Sequence, residues 1–259
     1  MNKCLSFGMF LSFFLVSLTS CHREEPNSND NNQVLQNAVT DIDGNSYDAI
    51  QIGNQVWMTD NLRTTRYADG STIPLGDSNS YTEPYRYAPG LNQSSEENMS
   101  NAAQYGYLYN WSAVMNVASS STSNPSGVQG ICPDGWHVPS DAEWTELTTY
   151  VKSQPNYLSS GSAEHIAKAL AATWGWNSSN MTDVPGNNPS TNNSTGFSAP
   201  PAGYWDDGTH NFGGKAYFWS ATEGYNQDAY GLEIHNDYEI VQRYNDYKYV
   251  GLSVRCIRN

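Results

Sequence analysis

The stretch GICPDGWHVPSDAEW, residues 130–144, combines a cysteine with a complete helix start. Ser140 and Glu143 have the spacing of a capping box, in which each side chain binds a free backbone N–H in the first helical turn. Apolar residues then recur at helical spacing. They are Trp144, Leu147 and Val151. We therefore predict a helix that begins at this box and buries one face.

Upstream, residues 41–65 read DIDGNSYDAIQIGNQVWMTDNLRTT and predict a β-hairpin. Its strands are Ser46–Ile52 and Gln55–Met58, and a Gly53-Asn54 turn joins them. Four polar residues in this stretch resemble a calcium loop at first sight: Asp41, Asp43, Asn45 and Asp48. Their spacing does not match an EF-hand and no glutamate closes the loop, so we interpret them as turn residues.

The rest of the chain mixes short helices, polar loops and strands. Further helices are predicted at 105–115 and 163–172, and a surface loop at 177–196. The remaining strands are predicted at 196–199, 216–221, 230–236, 238–244 and 250–257. Alternation puts Val250, Leu252, Val254 and Cys256 on one core-facing side of the last strand. The tryptophans assigned to the core are Trp57, Trp111, Trp136, Trp144 and Trp219.

The N-terminal segment predicts export. Residues 1–20 have a short basic start and an apolar run too short to span a bilayer comfortably, as in a signal peptide. They end in Leu-Thr-Ser before Cys21, which resembles the lipoprotein cleavage box of bacteria and implies lipidation of Cys21. An ordinary secretory signal is the alternative. Residues 21–38 are polar and predict a flexible tether. The folded domain is predicted at 39–259.

Charge and cysteine content limit the partners. The formal net charge is −14, which argues against nucleic acid or an anionic membrane as the ligand. Contact with the membrane is expected only through the lipid on Cys21. That lipid leaves Cys132 and Cys256 in the mature chain. In an oxidising envelope compartment, two remaining cysteines most simply form a disulfide.

Three ordered stretches carry a family resemblance: residues 41–65, residues 130–144, and YFWSATE (217–223) followed by GLSVRCIRN (251–259). Together they resemble the Fibrobacter succinogenes major paralogous domain, found on many Bacteroidetes and Fibrobacteres surface proteins. The last two are also similar to the formylglycine-generating-enzyme superfamily. The resemblance implies an α+β, C-type-lectin-like single domain with short helices, twisted antiparallel sheets and much irregular loop. It also favours an outer-membrane lipoprotein exposed at the cell surface.

Signals for catalysis are sparse. The formylglycine-generating enzymes use a reactive cysteine pair, but Cys256 lies on a predicted core face and is interpreted as structural. No histidines have metal-ligand spacing, and no phosphate loop or dinucleotide fingerprint occurs. We expect no catalytic residue, no metal site and no cofactor. The many Asp and Asn residues permit a calcium site, although no spacing requires one.

Tyr, Asn and Asp crowd residues 224–249. Tyrosine offers rigid apolar area with a polar tip, and Asn and Asp offer short hydrogen-bonding groups, a mixture typical of antibody loops. The turn GYWDDGTHNF (203–212) is expected to expose its aromatic and acidic residues beside this tract. The predicted ligand-binding residues are Trp205, Asp206, Asp207, Tyr225, Asp228, Tyr230, Asn236, Asp237, Tyr238, Tyr244, Asn245, Asp246 and Tyr247. The alternative is that the tyrosines only favour half-exposed strands.

We therefore predict a non-enzymatic module that binds an extracellular glycan or protein. An enzyme of the formylglycine-generating type and a structural subunit of a surface assembly are the competing classes. The codons of Tyr, Asn and Asp interconvert by changing a first adenine, the change that diversity-generating retroelements direct to the C-terminal face of C-type-lectin-like proteins. A further hypothesis is that residues 224–249 are diversified while the final strand is fixed.

Overall fold

Residues 33–90, 96–225 and 227–259 are described by a computed structural model. The predicted signal peptide, the lipidation site Cys21 and the tether as far as residue 32 lie outside the described residues. Strand β1 begins at Val34, inside the predicted tether, so the folded part starts earlier than residue 39. Within the described ranges, no helix is both long enough and apolar enough to cross a membrane.

The architecture is α+β, as predicted. Its helices are α1 (Glu96–Tyr105), α2 (Trp111–Met115), α3 (Asp141–Ser153) and α4 (Ala167–Leu170). Its strands are β1 (Val34–Thr40), β2 (Ser46–Ile52), β3 (Gln55–Met58), β4 (Arg86–Tyr87), β5 (Leu108–Tyr109), β6 (Trp136–His137), β7 (Tyr204–Trp205), β8 (Thr209–His210), β9 (Lys215–Glu223), β10 (Asp228–His235), β11 (Gln242–Tyr247) and β12 (Ile257–Arg258). They form a five-stranded sheet in the order β1-β2-β3-β12-β6, a three-stranded sheet β11-β10-β9, and the pairs β4-β5 and β7-β8.

The first hairpin and the capped helix pack together as one unit. Strands β2 and β3 have the predicted bounds, and both bonds of the capping box at Ser140 are present. The turn residue Gly53 has a φ of +62°, and a Cβ there would lie 2.9 Å from the ring of Tyr150 on α3. Trp57 of β3 stacks on Trp144 of α3 at a centroid distance of 4.5 Å. This contact joins sheet and helix, and the five tryptophans predicted for the core are all buried.

The predicted strand at 250–257 is wrong in form, because only Ile257 belongs to a regular strand. The segment is buried throughout and bonds to several elements in turn. Gly251 pairs with Trp205 of β7, and Leu252 pairs with Tyr109 of β5. The Ser253 N–H donates to the Tyr217 carbonyl of β9, and the Cys256 carbonyl accepts from Met58 of β3. This closing segment, residues 250–257, is therefore the hub of the domain.

The disulfide prediction is confirmed, since Cys132 and Cys256 are bonded and both are buried. Several other elements differ from their predicted bounds. The predicted helix 105–115 is interrupted: residue 105 ends α1, β5 follows, and α2 covers residues 111–115. Of the predicted helix 163–172, only residues 167–170 are helical. Residues 196–199 contribute a single bridge, Ala171 to Ala199, instead of a strand. The strand predicted at 238–244 begins at Gln242, although its edge position is correct.

Candidate ligand-binding surface

The predicted binding residues divide between the two faces of the β9-β10-β11 sheet. Paired residues of antiparallel strands share a face. Asp228 pairs with Tyr247, and Tyr230 pairs with Asn245, so the pairing assigns these four to one face. Tyr247 is the last residue of β11, however, and its ring stacks on Tyr249 just past the strand. Tyr244 and Asp246 pair with Gly231 and Ala229 on the opposite face. The tract is therefore not one continuous surface.

On the first face, the polar groups largely satisfy one another. The guanidinium of Arg243 lies 3.6 Å from the centroid of the Tyr230 ring and its Nε donates to Asp141 at 2.6 Å. The Asn245 amide donates to Asp228 Oδ2 at 2.7 Å. Little of this face remains free to bind a ligand, because its ring and carboxylates already hold partners.

Other predicted residues lie apart. Tyr225 is 81% exposed between β9 and β10. The remaining three, Asn236, Asp237 and Tyr238, follow β10 at the far end of the sheet. Among the described residues, no hydrogen bond, ion pair or ring contact joins any of these four side chains to Asp246.

The predicted exposure of Trp205 is wrong. Its side chain is 1% exposed and stacks on Tyr87 at a centroid distance of 3.7 Å. The cause is the closing segment, because two backbone bonds between Trp205 and Gly251 hold β7 against the core. Asp207 is exposed and Asp206 is half-buried. The Asp206 side chain accepts a hydrogen bond from Asn79 Nδ2 at 2.7 Å.

On the opposite face and past the end of β11, tyrosines from four segments gather near Asp206 and Asp246. One row contains Tyr204, Tyr217 and Tyr244, with successive centroids 5.4 and 5.1 Å apart. A second row contains Tyr81, Tyr249 and Tyr247, with successive centroids 5.0 and 5.5 Å apart. We call these six tyrosines and two aspartates the tyrosine–aspartate surface. Tyr81 and Tyr247 are its most exposed rings, at 39% and 51%.

The charges of Asp206 and Asp246 act on tyrosines of both rows. Burial and then the charges of Asp246 and Asp206 raise the pKa of Tyr204. Burial and the same two charges also raise the pKa of Tyr249, in the other row. Charges act over short distances in this way only when they lie near the titrating group. Tyr204 and Tyr249, one from each row, therefore both lie near Asp206 and Asp246.

Asp246 itself is under strain from like charges. Burial raises its pKa, and hydrogen bonds from the Tyr244 hydroxyl and the Tyr247 N–H lower it. The charges of Asp206 and Asp228 raise it further, and the net shift is upward. Among the described residues, neither Asp206 nor Asp246 has a basic side chain within ion-pair distance.

Sequence reasoning missed half of this surface. It did not select Tyr81, Tyr204, Tyr217 or Tyr249. Strand alternation offered one signal, since Tyr204 and Asp206 are two residues apart and share a side of the hairpin, whereas Trp205 points the other way. No local signal links Tyr81 to residues more than 120 positions later, because only the folded chain brings its ring against Tyr249.

The side chains that could hold a metal ion are dispersed in the described residues, and one histidine lies in a buried network. No group of three or more His, Cys, Asp or Glu side chains among them is arranged to hold a metal ion. His137 lies in a buried network instead, with Nε2 2.7 Å from Glu143 Oε1 and Nδ1 2.6 Å from Asn259 Oδ1. Glu143 also caps α3, which gives this cluster a structural role.

Comparison with known proteins identifies a family. The family model described as Fibrobacter succinogenes major domain matches residues 50–258. No curated protein and no solved structure matches the chain. The similarity to the formylglycine-generating-enzyme superfamily and its C-type-lectin-like fold therefore stays a prediction.

Proposed function

Because the chain belongs to the Fibrobacter succinogenes major domain family, we propose a function that the family match by itself does not specify. The protein is a non-enzymatic binding module for an extracellular glycan or protein, and the tyrosine–aspartate surface is its binding face. Lipidation of Cys21 anchors it to the outer membrane with the domain outside the cell.

The gathering of tyrosines around two carboxylates carries this proposal. Tyrosine rings supply rigid area that loses little entropy on binding, and carboxylates supply strong hydrogen-bond acceptors. Tyr81 and Tyr247 leave large parts of their rings in solvent. In a monomeric protein, clustered exposed aromatic groups mark a recognition site more often than isolated ones do.

The framework behind the surface supports binding over chemistry. A formylglycine-generating type of enzyme needs a thiolate that its substrate can reach. Here Cys132 and Cys256 are bonded to each other and both are 0% exposed. A thiol titration of the native compact unit Asn31–Asn259 checks this point: we expect no reactive thiol, and rapid labelling of either cysteine favours the enzyme.

The binding proposal is tested by screening the same unit against a glycan array and a peptide display library. Ligands selected by the wild type are then measured against the double variant Tyr81→Ala/Tyr247→Ala. We expect about tenfold weaker binding, because each exposed aromatic ring contributes about 0.5–1.5 kcal/mol. Tyr225→Ala removes a ring that is 81% exposed outside the surface and serves as the control.

Two outcomes contradict the proposal. Either no ligand is selected from both libraries, or the selected ligands bind the double variant as tightly as the wild type. A structural role in a surface assembly predicts the first outcome together with copurification of other envelope proteins.

A further inference from the structure

We propose that the partner of the tyrosine–aspartate surface is a basic, extended protein segment, whose arginine or lysine side chain lies between Asp206 and Asp246. This inference rests on the proposed function and specifies the chemistry of its ligand.

The first argument is uncompensated charge. Other carboxylates of the domain have basic partners, for example Asp43 with Arg66 and Glu164 with Lys152. Asp206 and Asp246 have none among the described residues. Ring contacts run from Tyr204, two residues before Asp206, through Tyr217 to Tyr244, whose hydroxyl donates to Asp246. The charge of Asp206 accordingly raises the pKa of Asp246, so the two carboxylates repel each other. A cation placed between them removes that repulsion, and a partner of the same sign as the chain, at −14, adds to it.

Two lysines beside the tyrosine rows are already held by other groups. Lys248 pairs with Glu223 and lies 4.4 Å from the centroid of the Trp111 ring. Lys215 lies 3.8 Å from Glu233 and 5.6 Å from the centroid of the Tyr217 ring. Neither lysine contacts the two aspartates, so no basic side chain of the described residues forms an ion pair with either carboxylate.

The second argument is the aromatic wall. The faces of tyrosine rings attract cations, and a guanidinium can stack on a ring while its N–H groups bind a carboxylate. Two rows of rings around two carboxylates therefore suit an organic cation. A metal ion would need more oxygen ligands at once, and the described residues contain no such group.

The third argument is length. Each row contains three rings at spacings near 5 Å, longer than one side chain. An extended peptide advances about 3.3 Å per residue, so a few residues cover one row. Strand β11, which contributes Tyr244 and Asp246, is also the edge of its sheet. Edge strands are common docking sites for extended segments.

The test measures binding of two labelled octapeptides, alternating Gly-Arg and alternating Gly-Glu, to the compact unit Asn31–Asn259 by fluorescence anisotropy. The charge variant is Asp206→Asn/Asp246→Asn. Its matched control is Asp69→Asn/Asp134→Asn, which removes the same charge at exposed positions elsewhere. We expect the arginine peptide to bind the wild type and the glutamate peptide not to bind. The affinity of the arginine peptide should be about tenfold lower for the charge variant and within about twofold of the wild-type value for the control.

A second variant protects the test against misfolding, because Asp246 is half-buried. Tyr247→Leu leaves both carboxylates in place and removes a ring that is 51% exposed. Loss of one cation–π contact is expected to weaken arginine-peptide binding about threefold. Tyr225→Leu should leave it unchanged.

The outcomes separate this inference from the proposed function. Equal weakening by both charge variants means diffuse attraction to an acidic protein and overturns the inference. Selection of uncharged glycans through Tyr81 and Tyr247, with no arginine-peptide binding, also overturns it but leaves the proposed function standing. Failure of every ligand to depend on the surface overturns both.

Discussion

Replacing Arg255 with Met is the sharpest test of how the domain is held together. Arg255 is 0% exposed, and burial lowers its pKa to about 9, partly offset by the charge of Asp60. It therefore stays protonated at neutral pH inside the core. Nη2 donates to Asn61 Oδ1 at 2.7 Å, and Nη1 donates to the carbonyls of Met58 and Phe197.

The expected cost follows from these contacts. A hydrogen bond from a charged donor contributes about 1.5–3 kcal/mol, and Met leaves three buried acceptors without this donor. Relief of the buried charge offsets part of the loss, since burying an unpaired ion is itself unfavourable. The substitution also removes the cation–π contact between the Arg255 guanidinium and the Phe197 ring, whose centroid lies 4.4 Å away. We expect the free energy of unfolding to fall by about 3–5 kcal/mol.

The assay is urea unfolding of the compact unit Asn31–Asn259, with the slope checked for two-state behaviour. Arg258→Met is the control, because Arg258 is exposed and lies three residues later, just past the closing segment. Arg255→Lys keeps the charge without the planar fork and should fall between wild type and Met. A loss below about 1 kcal/mol for Arg255→Met would refute the reasoning, since surface substitutions alone reach about half that value.

Three further predictions concern the disulfide, the buried histidine and the tyrosine-rich tract. Cys132→Ala/Cys256→Ala should lower the free energy of unfolding by about 4–5 kcal/mol, because the bond closes a loop with a sequence separation of 124; an unchanged urea midpoint contradicts this. Burial lowers the pKa of His137, but the hydrogen bond and charge of Glu143 outweigh it and leave the pKa above 6.5. The protonated ring therefore stabilises the fold fully below the unfolded-state pKa of about 6.5, and this contribution is lost as pH rises through the raised pKa. The stability difference between wild type and His137→Gln should shrink as pH rises above about 6.5, and a pH-independent difference contradicts the prediction. If the tract is diversified, sequences of this locus across isolates should vary at adenine-bearing codons within 224–249, whereas evenly spread substitutions end the hypothesis.

Local signals predicted the parts of the fold that need only neighbouring residues. The bounds of β2 and β3 follow from a Gly-Asn turn between alternating strands, and the start of α3 follows from Ser140 and Glu143. The disulfide needed no geometry, because few cysteines were left to pair. In each case the determining residues are close in sequence or few in number.

The structure of the closing segment could not be predicted from neighbouring residues. Its alternation correctly placed Val250 and Leu252 in the core, but it implied an exposed side for Arg255, which is fully buried. Alternation assumes that one face of a strand is buried and the other is exposed. A segment that crosses the middle of the domain is buried on both faces. Its backbone partners come from elements distant in sequence, so no local pattern records them.

The same segment explains why the candidate surface was only half predicted. Composition selected residues by type along the chain, and type alone does not decide which face a side chain takes. Pairing of Gly251 with Trp205 buries the tryptophan that composition favoured and turns Asp206 toward Tyr249. The Asn79 contact then connects the loop that carries Tyr81 to the same carboxylate. The surface is therefore a product of the closing segment, whose backbone pairs with Trp205 beside Asp206 and with Tyr109 and Tyr217 behind the tyrosine rows.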